Sequence, residues 1–189
     1  MSESSAKKAS WQLIELDSVD STNNEAFRLY AKKGNDYLPN LIVAETQTAG
    51  KGQFERKWES PKGNLYCSFS ISKSFIEWKL GKRIDEAKLT IKIGELLKKI
   101  FEDLISDCNS VDLSKLEIKK PNDILYANKK LAGILVELKA DLLVIGIGIN
   151  LEIAPIPDSI CLKEISPQDF DKAKILEKLR VSIDKKLLE

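Results

Sequence analysis

Directly after the short apolar run 41–44, the chain reads Glu45-Thr-Gln-Thr-Ala-Gly-Lys-Gly-Gln-Phe-Glu-Arg-Lys-Trp58. The apolar run is typical of a buried strand, so this strand is expected to end in a polar loop. Gly50 and Gly52 flank Lys51 in that loop, and further cations follow. Glycine lets backbone N–H groups approach a ligand closely, and neighbouring cations suit phosphate or carboxylate. The stretch therefore indicates an anion-binding loop, and a solvated basic turn is the alternative.

The length and charge of the chain limit its organisation and chemistry. With 189 residues it can form one hydrophobic core but not two ordinary domains. We predict a flexible N-terminus over residues 1–10 and one domain over residues 11–189. A net charge of +1 argues against nucleic-acid binding. The lack of histidine excludes a His general base and a His-ligated metal, which leaves Lys, Arg, carboxylates and backbone groups for any chemistry.

Cysteine usage and hydropathy indicate the compartment. Cys67, Cys108 and Cys161 are odd in number and far apart, which is typical of reduced thiols. No apolar stretch approaches the roughly 20 residues that span a membrane, and the N-terminus lacks a signal-peptide pattern. We expect a soluble, cytoplasmic protein that binds no membrane.

Hydrophobic periodicity predicts the order of the elements. Strands are expected at 11–16, 41–44, 65–72, 116–119, 124–126, 131–138 and 142–151. Helices are expected from a Thr22/Glu25 capping box to Gly34, over at least four turns from Leu89, and after Ser166. The alternation in 65–72 predicts a strand with one buried face, and Pro121 should end the strand at 116–119.

Four further motifs accompany the loop, and the five occur in a fixed order. They are Ser21-Thr22-Asn23-Asn24, the loop itself, 119–125 (Lys-Lys-Pro-Asn-Asp-Ile-Leu), 130–137 (Lys-Leu-Ala-Gly-Ile-Leu-Val-Glu) and 146–150 (Gly-Ile-Gly-Ile-Asn). Over residues 17–151 this set resembles the catalytic domain of biotin protein ligases. The resemblance implies an α+β fold with a mixed, mostly antiparallel sheet packed by helices on one side. It also implies an ATP-dependent ligase that forms biotinyl-5'-AMP and transfers biotin to a lysine of a biotin carboxyl carrier protein.

Each motif also has a simpler structural interpretation. The serine and threonine at 21–22 could be no more than a helix cap, and residues 146–150 could be a glycine-kinked core strand. A dinucleotide fingerprint is excluded because the third glycine is missing, and the loop glycines lack the spacing of a phosphate-binding P-loop.

The resemblance implies two sets of ligand-binding residues and one catalytic cation. Biotin would contact Ser21, Thr22, Asn23, Gln47, Gly50, Lys51 and Gly133. ATP and the adenylate would contact Lys51, Gly52, Gln53, Arg56, Trp58, Asn122 and Asn150. Lys119 would be the catalytic cation beside the biotin carboxylate and the α-phosphate, and Mg²⁺ would accompany ATP.

The sequence departs from the family pattern at three positions. Lys51 and Gln53 stand where arginines are usual, and Lys120 replaces a tryptophan. Because glutamine has no charge, the loop is predicted to be a leakier lid over the adenylate. Ligases of this family commonly continue into a small C-terminal β-barrel, and some carry an N-terminal helix-turn-helix. We expect a minimal catalytic domain without either segment, and therefore no DNA-binding activity.

Three other functions remain open. A lipoate or octanoate ligase or transferase of the same superfamily would share the sheet and the lysine. A non-catalytic biotin- or nucleotide-binding module would explain the replaced residues, and a generic α/β domain would make the motifs coincidental. The oligomeric state, whether monomer or weak dimer, also stays open.

Overall fold

The computed structural model describes residues 11–106, 108 and 111–188. The segment expected to be flexible, residues 1–10, lies outside them. The strands are β1 (Gln12–Val19), β2 (Asn40–Gln47), β3 (Leu65–Ser72), β4 (Leu116–Lys119), β5 (Asp123–Tyr126), β6 (Lys129–Lys139) and β7 (Leu142–Ile149). The helices are α1 (Thr22–Lys33), α2 (Lys73–Leu80), α3 (Glu86–Ile105), α4 (Leu162–Ile165) and α5 (Lys172–Leu188).

Seven strands form one sheet in the order β1-β2-β3-β7-β6-β5-β4. Among the described strands, β1 and β2 pair in parallel and every other pair of neighbours is antiparallel. The turn between β5 and β6 has positive φ at both Ala127 and Asn128, as a tight hairpin requires. The predicted α+β fold with a mixed, mostly antiparallel sheet is confirmed.

The sheet is covered on both faces, which corrects two expectations. One face packs on α3 and α5 through residues such as Cys67, Phe69 and Ile145. The other face packs on α1 through Ala26, with Val144 in the same cluster. Helices therefore do not lie on one side only. For the same reason β3 is not half-buried, because α1 also covers the polar face that alternates with the apolar one.

Two predicted helix starts need correction, and α2 and α4 were not expected from the sequence. Ser21, rather than Thr22, is the N-cap residue of α1, and its side chain caps no N–H group. Helix α5 begins after Asp171, whose carboxylate accepts hydrogen bonds from the N–H groups of Ala173 and Lys174, and not after Ser166. In the described part of the chain, no helix is both long and apolar enough to cross a membrane.

Candidate active site

A cavity of about 270 Å³ lies on the α1 face of the sheet, at the N-terminus of that helix. Its floor is made by glycines of the paired strands β6 and β7, where Gly133 lies opposite Gly148. A Cβ added at Gly148 would lie 2.6 Å from the Trp58 ring, and one at Gly146 would lie 2.4 Å from Asn23 Oδ1. The missing side chains thus let the Trp58 ring and the Asn23 amide pack directly on the strands, and these close neighbours require glycine at both positions.

A polar cluster forms the wall next to α1. The Oε1 atom of Gln47 accepts hydrogen bonds from the Thr22 N–H group at 2.9 Å and from the Thr22 hydroxyl at 3.2 Å. The Ser68 hydroxyl lies 2.7 Å from Thr22 Oγ1 and 2.5 Å from Asn23 Oδ1. Asn23 Nδ2 donates to Glu137 Oε2 at 2.7 Å. Ser21 lines the cavity with a hydroxyl that is not used for capping. This wall offers hydroxyl and amide groups to a polar ring.

Residues 50–58, which we call the lid loop, fold as a narrow hairpin over the cavity. Gly52 N donates to Arg56 O at 2.7 Å, and Trp58 N donates to Gly50 O at 2.9 Å. Within the described ranges, neither Lys51 nor Arg56 has a carboxylate within 4.0 Å. Two cations that line the cavity are therefore available to an anionic ligand.

The opposite wall contains a third cation and an unsatisfied acceptor. Lys130 Nζ lies 2.8 Å from Asp123 Oδ1 and 4.9 Å from the centre of the Trp58 ring. Asn150 uses its Nδ2 group for the carbonyls of Lys130 and Ile160. Its Oδ1 atom is buried and has no partner among the described residues, and the same is true of Trp58 Nε1. Both atoms belong to side chains that line the cavity.

Comparison with known proteins assigns this chain to a family. The model described as "Biotin/lipoate A/B protein ligase family" matches residues 15–151. The chain belongs to that family. The bifunctional ligase/repressor BirA of Salmonella typhimurium is 32% identical over 201 residues, which cover 92% of this chain and 58% of the relative. The chain thus spans less than two thirds of that relative's length.

Solved structures of family members have the same fold. The biotin protein ligase of Aquifex aeolicus, in complex with biotin and ATP, superposes with a TM-score of 0.73 at 32% identity, covering 93% of this chain and 70% of that chain. The Leishmania major biotin protein ligase, in complex with biotinyl-5-AMP, has a TM-score of 0.75 at 24% identity, covering 94% and 75%. The second likeness concerns the fold alone.

In this family member, most of the predicted site residues line one cavity. They are Ser21, Thr22, Asn23, Gln47, Lys51, Gly52, Gln53, Arg56, Trp58, Asn122, Gly133 and Asn150. Gly50 does not line it, but is the first residue of the lid loop, where an added Cβ would be 2.4 Å from Trp58 O. Lys119 does not line it either, and is exposed at the end of β4.

Lys57 and Lys130 are lining cations that were not among the predicted site residues, although Lys57 lies in the lid loop and Lys130 begins the motif at 130–137. In an unbroken strand, residues 130 and 133 would point to opposite faces of the sheet. A register shift in the pairing of β5 with β6, between Ile124 and Leu125, lets Lys130 line the same cavity as Gly133. The alternation pattern contains no sign of this bulge.

Proposed function

We propose that the protein activates biotin with ATP as biotinyl-5'-AMP and transfers the biotinyl group to a lysine of a biotin carboxyl carrier domain. The observation that carries this proposal is the meeting, in one cavity, of a neutral polar wall, a glycine floor and a cationic lid loop. Joining a carboxylate to an amine at neutral pH requires a leaving group. A site for a carboxylic acid beside a site for polyphosphate meets that requirement.

The wall next to α1 would hold the ureido ring of biotin. That ring has two N–H donors and one carbonyl acceptor, and the wall presents both hydroxyl groups and an amide. Ser21 and Thr22 would bond the ring, while Gln47 orients Thr22. The glycines at 133, 146 and 148 would let the Trp58 ring and the Asn23 amide lie close to the sheet, so that these two side chains border the rest of the ligand. A polar wall of this kind favours biotin over an acyl chain that lacks a polar ring.

The opposite end of the cavity would hold the nucleotide. Asn150 Oδ1 has no hydrogen-bond partner among the residues that the structure describes, so it can accept a hydrogen bond from the exocyclic amino group of adenine. Trp58 offers a flat aromatic surface nearby. Lys51 and Arg56 of the lid loop would hold the phosphates, and Mg²⁺ would enter with the nucleotide as MgATP.

We infer that Lys130, rather than Lys119, stabilises the charge that develops during activation. Lys130 lines the cavity, and its Nζ forms an ion pair with Asp123 Oδ1 at 2.8 Å. An ammonium group between a carboxylate and the α-phosphate offsets their mutual repulsion. Lys119 is exposed, and its role as the catalytic cation stays a prediction. Comparing the Lys119→Ala and Lys130→Ala variants tests it.

The reaction then proceeds in two steps. A carboxylate oxygen of biotin attacks the α-phosphorus, the bond to the bridging oxygen breaks, and pyrophosphate leaves. In the second step the acceptor amine attacks the acyl carbon, loses a proton, and AMP leaves with the former carboxylate oxygen. The lid loop would keep water from the mixed anhydride between the two steps.

Mass spectrometry of a biotin carboxyl carrier domain tests the proposal. After incubation with the protein and MgATP, biotin should add one biotinyl group to one lysine, and lipoate should add nothing. Transfer of lipoate alone would identify a lipoate ligase. Absence of both transfer and adenylate would leave a binding module and overturn the proposal.

A further inference from the structure

We propose that Ser60 is a positioning residue that sets the orientation of the Gln47 amide and joins it to the lid loop. This inference rests on the proposed function, because Gln47 belongs to the wall that would hold the ureido ring. Ser60 lies just beyond the lid loop, is buried, and does not itself line the cavity. Its effect on a ligand would therefore pass through its neighbours.

The hydroxyl group of Ser60 has one partner on each side. It accepts a hydrogen bond from Gln47 Nε2 at 2.9 Å and donates one to the Trp58 carbonyl at 3.1 Å. The other end of the Gln47 amide accepts from Thr22. A continuous chain of hydrogen bonds thus runs from the N-terminus of α1, through Gln47 and Ser60, to the last residue of the lid loop.

The packing around this chain leaves little freedom. A Cβ added at Gly50 would lie 2.7 Å from Ser60 Oγ and 3.0 Å from Gln47 Nε2. The Trp58 N–H group bonds the carbonyl of the same glycine at 2.9 Å. Gly50 and Trp58, the two ends of the lid loop, therefore both lie against Ser60. A change in the position of the Ser60 or Gln47 side chain should shift the ends of the loop as well.

An amide side chain has a donor end and an acceptor end of nearly equal size, so its hydrogen-bond partners decide which way it points. Thr22 requires the acceptor end of Gln47 on its side, and Ser60 requires the donor end on the other. Without the Ser60 hydroxyl, Nε2 loses its partner and the amide can rotate. Rotation would turn a donor toward the Thr22 N–H group and disturb the wall that meets the ligand.

The test compares Ser60→Ala with Ser70→Ala. Ser70 is a matched control, because its buried hydroxyl also makes two hydrogen bonds, with Tyr37 Oη and with the Asn40 carbonyl, away from the cavity. We expect Ser60→Ala to weaken biotin binding, measured by calorimetry, about three- to tenfold, the value of one neutral hydrogen bond. Ser70→Ala should bind biotin as the natural protein does.

A double-mutant cycle separates positioning from a general loss of packing. If Ser60 acts through Gln47, then Ser60→Ala should change biotin binding less than about twofold in a Gln47→Ala background. Equal effects in both backgrounds would overturn the inference. Unchanged binding in Ser60→Ala alone would also overturn it while leaving the proposed function intact. If the natural protein binds no biotin, the proposed function and this inference fall together.

Hydrogen exchange without ligand gives a second, independent measurement. Both Ser60→Ala and Gln47→Glu remove the bond between Nε2 and the Ser60 hydroxyl, so both should speed amide exchange in the peptide covering residues 46–60. Ser70→Ala should leave this peptide unchanged. Exchange that is equally slow in all four proteins would contradict the proposed link to the lid loop.

Discussion

Lys130 lines the cavity, and its ammonium group lies 2.8 Å from Asp123 Oδ1 and 4.9 Å from the centre of the Trp58 ring. We expect Lys130→Ala to lower biotin-dependent pyrophosphate release about 100-fold or more, since one well-placed cation can contribute a few kcal/mol to a transition state. Lys119→Ala should stay within about threefold of the natural protein, because an exposed charge is screened by water. The exposed Lys129 provides a control for loss of charge on β6. A crippled Lys119→Ala beside an active Lys130→Ala would restore the sequence-based assignment.

Gly146 and Gly94 show opposite consequences of the same substitution. In Gly146→Ala the new Cβ would meet Asn23 Oδ1, so we expect the free energy of unfolding to fall by about 1–3 kcal/mol. We also expect this variant to bind biotin more weakly. Gly94 lies in α3, and in Gly94→Ala the new Cβ would be in ordinary van der Waals contact with Ile118 and Ile134 of the sheet, at 3.7 Å from each. That change should stabilise the protein by about 0.5–1 kcal/mol. Urea denaturation measures both values, and equal destabilisation would contradict the assignment of Gly146 to a crowded floor.

At the scale of elements, the proposed function leads us to expect that the lid loop affects how long an adenylate stays bound. Gln53 lines the cavity without a charge, and the carbonyl of Gln53 accepts from Arg56 Nε at 3.1 Å. We expect Gln53→Arg to slow the release of biotinyl-AMP several-fold, because an arginine can bond a phosphate with two N–H groups. Gln53→Lys is the control that adds charge without this geometry. Release measured by rapid filtration that is equal in all three proteins would count against a leaky lid loop.

Helix α1 is held at its start by an ion pair whose effect depends on pH. The guanidinium of Arg28 bonds Asp20 at 2.6 Å and holds the pKa of that carboxyl group below its usual range. A lowered folded-state pKa adds stability above the unfolded pKa of about 3.9, and this stability disappears as the pH falls through the folded value. Since the pair is partly exposed, Asp20→Asn should cost less than about 1 kcal/mol at pH 7.

The difference between Asp20→Asn and the natural protein should therefore shrink as the pH is lowered from about 4 toward 2. Urea denaturation at a series of pH values measures it, with the exposed Asp36 replaced by asparagine as the control. A difference of the same size at pH 3 and pH 7 would show that the ion pair is not its cause.

At the scale of the whole molecule, Cys67 reports on opening of the sheet. Its thiol is completely buried in β3, and burial raises its pKa to about 12. Because the thiolate is the reactive form, alkylation at pH 8 should require unfolding of the sheet. Biotin with MgATP should slow alkylation further by binding the folded state. Mass spectrometry after timed iodoacetamide treatment measures this, with half-buried Cys108 as the internal comparison. Rapid labelling of Cys67 in the native protein would contradict it.

Local patterns in the chain determined much of this fold. The alternation in β3, the helical period from Leu89 and the asparagine turn before β6 each depend on residues close in sequence, so they could be read without the structure. The five motifs also predicted residues of one cavity. Their glycines and polar side chains indicate ligand binding by their residue type alone, so these residues could be selected before their positions in the sheet were known. Most of the predicted binding residues are therefore found along its walls.

Only the tertiary structure decided which faces are covered and which lysine enters the site. Helix α1 buries the polar side of β3, including Ser68, and this depends on packing between segments distant in sequence. The register shift beside Ile124 brings Lys130 to the cavity, and it arises from the pairing of two strands. Burial and register are properties of contacts between elements. A strand pattern that specifies its own two faces cannot specify what will lie against them or where its neighbour will bulge.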